Sequence, residues 1–459
     1  MKFLSALVFS LFALGLCKAA ERKPNFIFLM LDDAGYGDVS CFGQKHFQTP
    51  NVDRMAREGM KLTDFYASST VCAPSRCSLM TGLHTGQAVV RGNHEIKPEG
   101  QFPLPKETLT IPKLLKQAGY TSGMFGKWGL GSPGSSGDPI NQGFDRFFGY
   151  NCQRQSHTFY PPHLWSNQEK VPLDGKTYSH HLIADQALEF IQDNKDTPFF
   201  CYLPFTMPHA AMHAPEELVE PWRKKFPQFN RIVGKYRPPN QENPAAVFAA
   251  MMTLMDRDLG RILDLLEETG IAQDTLVIFT SDNGPHKAGG HQPDFFDSNG
   301  PLRGYKRDLY EGGIRVPTVA WWPGEISAES HTDTPFAGWD ILPTFCELAG
   351  VESPNQVNGI SFAPTLLGKP GVQESRRYLY WEFHEQGGKQ AIRMGKWKGV
   401  RLQVRKNPYG PIELYDLSKD IGEQNNVASQ FPKVVEEINR SFKEARNSNP
   451  NFPLLPGDR

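Results

Sequence analysis

Residues 25–31 (NFIFLML) form an apolar run with one polar residue at its start, the pattern of a strand buried on both faces. Downstream, short apolar runs alternate with stretches whose apolar residues recur every three or four positions. Thr49-Pro50-Asn51 opens a helix that closes at Gly59, with proline early and glycine past the end. A helix over 109–117, stopped by Gly119, precedes a strand over 121–125. A helix over 180–193 then leads to a strand over 199–205. Asn243-Pro244 starts a long helix ending at Gly270, and strands over 275–280 and 316–322 follow. This alternation predicts an α/β protein, a sheet covered by helices on both faces.

The texture changes near Ser375. Residues 377–383, 391–401 and 412–416 read as antiparallel strands and 431–446 as a closing amphipathic helix. The pattern therefore divides the chain into a large unit over 21–374 and a small C-terminal subdomain over 375–459. The stretch 165–176 and the Pro-rich stretch 235–244 read as long surface excursions, where binding loops often lie.

The first twenty residues stand apart. Lys2, an apolar run over 3–16 and the small residues Ala19 and Ala20 have the form of a secretory signal peptide, too short for a membrane span. An exported protein, periplasmic or extracellular, is expected. Cys17 raises lipoprotein anchoring as an alternative, against which the bulky Leu16 argues. No later segment is long and apolar enough to cross a bilayer.

Charge narrows the field further. The 459 residues carry a net charge of -1, with 22% charged and 39% hydrophobic residues. No global field favours nucleic acid or an anionic membrane surface, so affinity for an anion must come from a local cluster. Seven cysteines are scattered without a C-x-x-C pair or a zinc spacing, and disulfide pairing stays open.

Candidate chemistry collects at the ends of predicted strands: Asp32-Asp33, Lys127, His209 and Asp282-Asn283. Open α/β sheets bind ligands beyond the carboxyl ends of their strands. Helix capping could account for any one of these residues, but poorly for all four places.

Cys72-Ala73-Pro74-Ser75-Arg76, followed by Thr81-Gly82, resembles the type I sulfatase signature C-x-P-x-R with T-G. Further segments resemble the same family in order: Asp32 to Asp38 (DDAGYGD), Ser281-Asp282-Asn283-Gly284, Leu302 to Lys306 with Tyr310 to Gly313, and Leu414 to Leu417 with Glu423 and Asn426-Val427. The resemblance implies an alkaline-phosphatase-like sandwich, a large mixed sheet between helices, plus a small C-terminal antiparallel sheet with a helix. It also implies that a formylglycine-generating enzyme oxidises Cys72 and that the hydrated aldehyde attacks sulfur.

Asp32, Asp33, Asp282 and Asn283 offer hard oxygen donors, which suit Ca2+ or Mg2+ and not zinc; residue 72 would join them through a formylglycine hydroxyl. D-D and D-N-G are also common turn sequences, and Asp38 reads as a turn residue. By the resemblance Arg76, Lys127, His209 and Lys306 surround the sulfuryl group, where charge develops as the ester breaks.

One departure stands out. The family reads G-K-W-H-L-G, and this chain has Gly126-Lys127-Trp128-Gly129-Leu130-Gly131. A histidine from elsewhere, His157 or His286, is expected to replace the missing one. The segment 149–157, with Arg154 and His157, is dense in donors and acceptors, and Tyr160, His163 and Trp165 follow; it reads either as a sugar-binding surface or as an ordinary aromatic loop. His213 and Trp381 are further candidates for that pocket. A sulfated carbohydrate is the expected substrate. A phosphoesterase or phosphonate hydrolase on the same fold, or a non-catalytic sulfoglycan-binding protein, are the alternatives.

Overall fold

The apolar run after Pro24 becomes a central strand of a ten-stranded mixed sheet. The computed structural model describes residues 23–458. The leader expected over 1–20, with Cys17, lies outside the described residues. The sheet strands in chain order are β1 (Asn25–Leu31), β2 (Met60–Leu62), β3 (Thr121–Lys127), β4 (Arg146–Tyr150), β5 (His163–Ser166), β6 (Glu169–Pro172), β7 (Phe199–Pro204), β8 (Thr275–Ser281), β9 (Val319–Trp321) and β10 (Ser330–Thr332). Their spatial order is β10-β2-β9-β8-β1-β7-β3-β4-β5-β6. The middle five, β8, β1, β7, β3 and β4, run parallel, so their carboxyl ends share one edge.

Strand alternation divides the core into two layers. Ile27, Leu29 and Leu31 of β1 face one cluster with the helices Ser179–Asp193 and Pro244–Glu268; Phe26, Phe28 and Met30 face the other, with the helices Cys72–Thr81 and Ile341–Ala349. Parallel strands buried on both faces are what the continuous apolar run predicts.

The C-terminal sheet comprises β11 (Leu379–Phe383), β12 (Lys389–Met394), β13 (Trp397–Leu402) and β14 (Glu413–Asp416), all antiparallel. Leu379, Trp381 and Phe383 pack toward Tyr66, Trp339 and Ile314 of the large unit. The other face, with Tyr380, Ile392 and Leu414, is covered by Ile438 and Phe442 of the helix Pro432–Glu444.

Glu311 pins this sheet down. Its carboxylate accepts hydrogen bonds from Lys398 Nζ at 2.7 Å and Tyr66 Oη at 2.7 Å, and its backbone N–H donates to Glu423 Oε2 at 2.7 Å. Asn426 Oδ1 in turn accepts from Leu414 N at 3.1 Å. The segments around Glu311, Leu414 and Glu423 thus brace the C-terminal sheet against the large unit.

Three expectations need correction. The single strand expected over 391–401 is the hairpin β12–β13, turning at Gly395 with φ 54°. Its apolar residues continue through the turn, which hid the reversal. The excursion expected over 165–176 instead carries the hairpin β5–β6, which extends the sheet edge beyond β4. Its exposed outer strand lacks an apolar period. In the Pro-rich excursion, a short ladder pairs Val233–Gly234 with Gln241–Glu242. Among the described residues, the six cysteines are unpaired and no helix is long and apolar enough to cross a membrane.

Candidate active site

Residue 72 begins the helix Cys72–Thr81. Val71 is extended at its N-cap, Pro74 sits in the first turn where a missing N–H is tolerated, and Gly82 closes the helix at φ 68°. Four residues separate Cys72 from Arg76, which places both on one face of the helix. Ala73 N donates to Asn93 Oδ1 at 3.1 Å, and Ser75 Oγ donates to the Asp282 carbonyl at 2.6 Å. The helix start is therefore fastened to the carboxyl end of β8.

The strand ends converge on this point. Cys72 Sγ lies 3.3 Å from Asp32 Oδ1 and 3.6 Å from Lys306 Nζ. Lys127 Nζ, at the end of β3, is 2.5 Å from Asp32 Oδ2. Arg76 Nη2 is 2.9 Å from Asp282 Oδ2 and 3.6 Å from Asp32 Oδ2, and Arg76 also donates to the Lys127 carbonyl. Lys306 Nζ lies 2.6 Å from Asp33 Oδ1, and His209 Nε2 lies 3.5 Å from Asp33 Oδ2. Asn283 Nδ2 donates to Asp33 Oδ1 at 2.8 Å, and Asp33 N donates to Asp282 Oδ1 at 3.2 Å. Asp32, Asp33, Asp282, Asn283, Arg76 and Lys127 are all essentially removed from solvent.

Such burial needs compensation. Burial pushes the Asp32 carboxyl up, but the permanent cations Lys127 and Arg76 hold it well below its ordinary value. Asp33 is likewise held down by Lys306 against burial. Burial and the Asp32 carboxylate raise Asp282. Burial lowers His209 to about 3, so its imidazole is neutral, and Nδ1 donates to the Ala210 carbonyl. Burial and the Asp32 carboxylate push the Cys72 thiol up to about 12, so the unmodified side chain is no thiolate.

The donor set fits a hard cation. Ligand atoms of Asp32, Asp33, Cys72 and His209 all lie within 4.8 Å of one another and could hold one metal ion. Beside them, Asn283 Oδ1 is buried without a hydrogen-bond partner among the described residues, as a coordinating oxygen would be. Two carboxylates and the Asn283 amide offer hard oxygens there, beside one sulfur and one imidazole nitrogen.

The other sequence candidates separate clearly. The His157 ring stacks on His209, with centroids 4.6 Å apart and planes 8° from parallel, and both line a cavity with Cys72 and Lys306. His286 lies beside His209, ring centroids 6.0 Å apart, and lines an adjoining cavity with Asp33, His209 and Lys306; its Nε2 is 3.3 Å from the Pro208 carbonyl and its Nδ1 accepts from Ala288 N at 3.0 Å. Arg154 lines the same cavity at its rim, paired with Glu95 at 2.5 Å and donating to the Pro98 carbonyl at 2.6 Å. His213 does not join the cluster: it is buried, with Nε2 3.0 Å from the Pro239 carbonyl, and props the Pro-rich segment. Trp381 is also not a pocket residue, being fully buried against Tyr66 and Trp339. Helical and strand spacing cannot reveal such inward turns.

Sequence reasoning overlooked Asn93 and Tyr236 and did not single out Gln153 within the segment 149–157; all three line the cavity with His157. Tyr236 stands edge-on to both His157 and His209, at 5.4 Å and 6.0 Å between centroids. Its place in the Pro-rich excursion was the available signal.

Known proteins resemble this chain over most of its length. The sulfatase family model matches residues 24–351, and the C-terminal model of N-sulphoglucosamine sulphohydrolase matches 304–448. Human arylsulfatase A is 30% identical, covering 95% of this chain and 89% of its own. Mouse N-acetylgalactosamine-6-sulfatase is 32% identical, covering 98% and 85% respectively. The crystal structure of Ps i-CgsB in complex with k-i-k-neocarrahexaose superposes with a TM-score of 0.79 at 26% identity, covering 95% of this chain and 96% of that one. With a family model over most of its length and near full-length relatives, the chain belongs to the sulfatase family and is a sulfuric ester hydrolase.

Proposed function

We propose that the protein removes sulfate from a sulfated carbohydrate, using a formylglycine made from Cys72 and a hard divalent cation, Ca2+ or alternatively Mg2+. The carrying observation is the position of Cys72 Sγ, 3.3 Å from Asp32 and 3.6 Å from Lys306 at the start of a helix. An oxygen at that place adjoins both carboxylates and ammonium groups. The carbohydrate assignment draws on the N-acetylgalactosamine-6-sulfatase relative and on the neocarrahexaose complex of Ps i-CgsB. An exported protein, matured by a formylglycine-generating enzyme, fits this reading.

A hydrated aldehyde at position 72 supplies an oxygen nucleophile, and a bound divalent cation supplies Lewis-acid polarisation. The chain's own residues do the rest. Lys127 and Lys306 stay protonated, because Asp32 and Asp33 respectively offset the effect of burial. Their ammonium groups receive the charge that spreads over the sulfuryl oxygens. Lys306 carries the proton for the departing alkoxide. His209 is neutral, its Nδ1 committed to the Ala210 carbonyl, so it orients and does not donate a mobile proton. His157, held neutral mainly by burial, is assigned to take the proton that the remaining hydroxyl at position 72 would lose as its C–O bond to sulfate breaks.

The test is twofold. Mass spectrometry of the residue 72 peptide should show aldehyde in place of thiol in natively expressed protein. An aryl sulfate should be hydrolysed faster than the matching aryl phosphate, and a panel of defined sulfated sugars should yield the natural class. Full sulfatase activity with an intact thiol would overturn the formylglycine assignment. Preference for the phosphate would favour a phosphoesterase.

A further inference from the structure

Position 129 is glycine where the family pattern has a histidine, and the space is filled from elsewhere. Gly129 has φ 89°, a conformation that side chains disfavour. A methyl group placed there would meet Gln153 Cγ at 2.7 Å and Nε2 at 2.9 Å. Gln153 thus occupies the volume that a side chain at 129 would need.

The topology explains the encounter. β3 and β4 are parallel neighbours, with Lys127 opposite Tyr150, so Gly129 and Gln153 leave adjacent strand ends side by side. Gly129 N donates to the Asn151 carbonyl at 3.1 Å, and Ser156 Oγ donates to the Gln153 carbonyl at 2.7 Å, which fixes the backbone of both segments. Gln153 is 4% exposed, and its Nε2 is buried without a hydrogen-bond partner among the described residues. Native proteins leave few buried donors unpaired. The side chain lines the cavity that also holds Cys72, His157, His209 and Lys306.

We propose that the Gln153 amide takes the place of the missing position-129 side chain and donates a hydrogen bond to a sulfuryl oxygen of the substrate. The inference rests on the sulfatase reading above for the identity of that oxygen. An amide exchanges no proton in the neutral range, so Gln153 binds and orients while His157 handles the proton. A two-part device, an amide from one strand end and an imidazole beyond it, replaces one histidine.

The experiment compares the full-length wild type with Gln153→Met, which keeps the volume but removes the donor, and Gln153→Glu, which keeps the shape but adds a negative charge. Inorganic sulfate binding by calorimetry and aryl sulfate turnover are both measured. Sulfate affinity and kcat/KM should each fall about tenfold in Gln153→Met, the loss of one hydrogen bond to a charged group, and further in Gln153→Glu. The shape of the kcat–pH profile should not change in Gln153→Met, unlike in His157→Ala. Wild-type sulfate affinity in Gln153→Met would overturn the proposal. A wild type that hydrolyses no aryl sulfate would sink the sulfatase reading instead, and the calorimetric arm would still decide Gln153.

Discussion

Lys127 Nζ lies 2.5 Å from Asp32 Oδ2, with both side chains shut away from solvent. Since β7 lies between β1 and β3, this ion pair reaches across an intervening strand. It ties together two strand ends that share no backbone hydrogen bonds.

Removing one partner therefore leaves a buried, poorly compensated charge. Lys127→Met should cost about 3–5 kcal/mol of folding stability in the presence of a chelator. Urea denaturation measures this, and a loss below about 1 kcal/mol would show that the pair is unimportant to the fold.

Divalent cations should stabilise the chain. Added Ca2+, at a hundredfold its dissociation constant, should contribute about 2.7 kcal/mol, seen as a rise in Tm. Asn283→Leu removes the unpartnered Oδ1 and should diminish the rise. If neither Ca2+ nor Mg2+ moves the wild-type Tm, the carboxylate cluster is not a cation site.

Two histidines compete for the role left open at Gly129. His157 faces the cavity beside Cys72, whereas both His286 nitrogens sit against backbone groups. His157→Ala should lower kcat by about 10²–10⁴-fold, and His286→Ala by much less. Equal, small effects from both would remove His157 from the proton path.

A pH effect on stability should arise far from the chemistry. Burial and the Glu311 carboxylate push Glu423 up to about 8, and its Oε1 has no partner among the described residues. The folded state favours the protonated form, so its contribution is complete below the ordinary value of 4.5 and is lost as pH rises through about 8. Glu423→Gln should flatten the decline of Tm between those limits. An unchanged slope would place the titration elsewhere.

The catalytic end of the sheet was legible because strand ends are local signals. An apolar run followed by Asp32-Asp33, or by Asp282-Asn283, can be seen without knowing its neighbours. Cys72 and Arg76 were legible only because residues 72–76 resemble the C-x-P-x-R signature. What stayed hidden depends on partners distant in the chain. Nothing in the segment 149–157 says that Gln153 will enter the volume above Gly129, since that follows from the parallel register of β3 and β4. His213 misled because a histidine four residues after His209 could face either the cavity or the Pro-rich segment. The β12–β13 hairpin misled because its apolar residues run through the turn.

Cys72 is 2% exposed, closed in by a helix start and several strand ends. An enzyme large enough to alter that side chain could reach it only while the polypeptide is still unfolded. Under the proposed formylglycine chemistry, maturation and folding would be in a race, and a molecule that folds first would keep its thiol however much modifying enzyme it meets later.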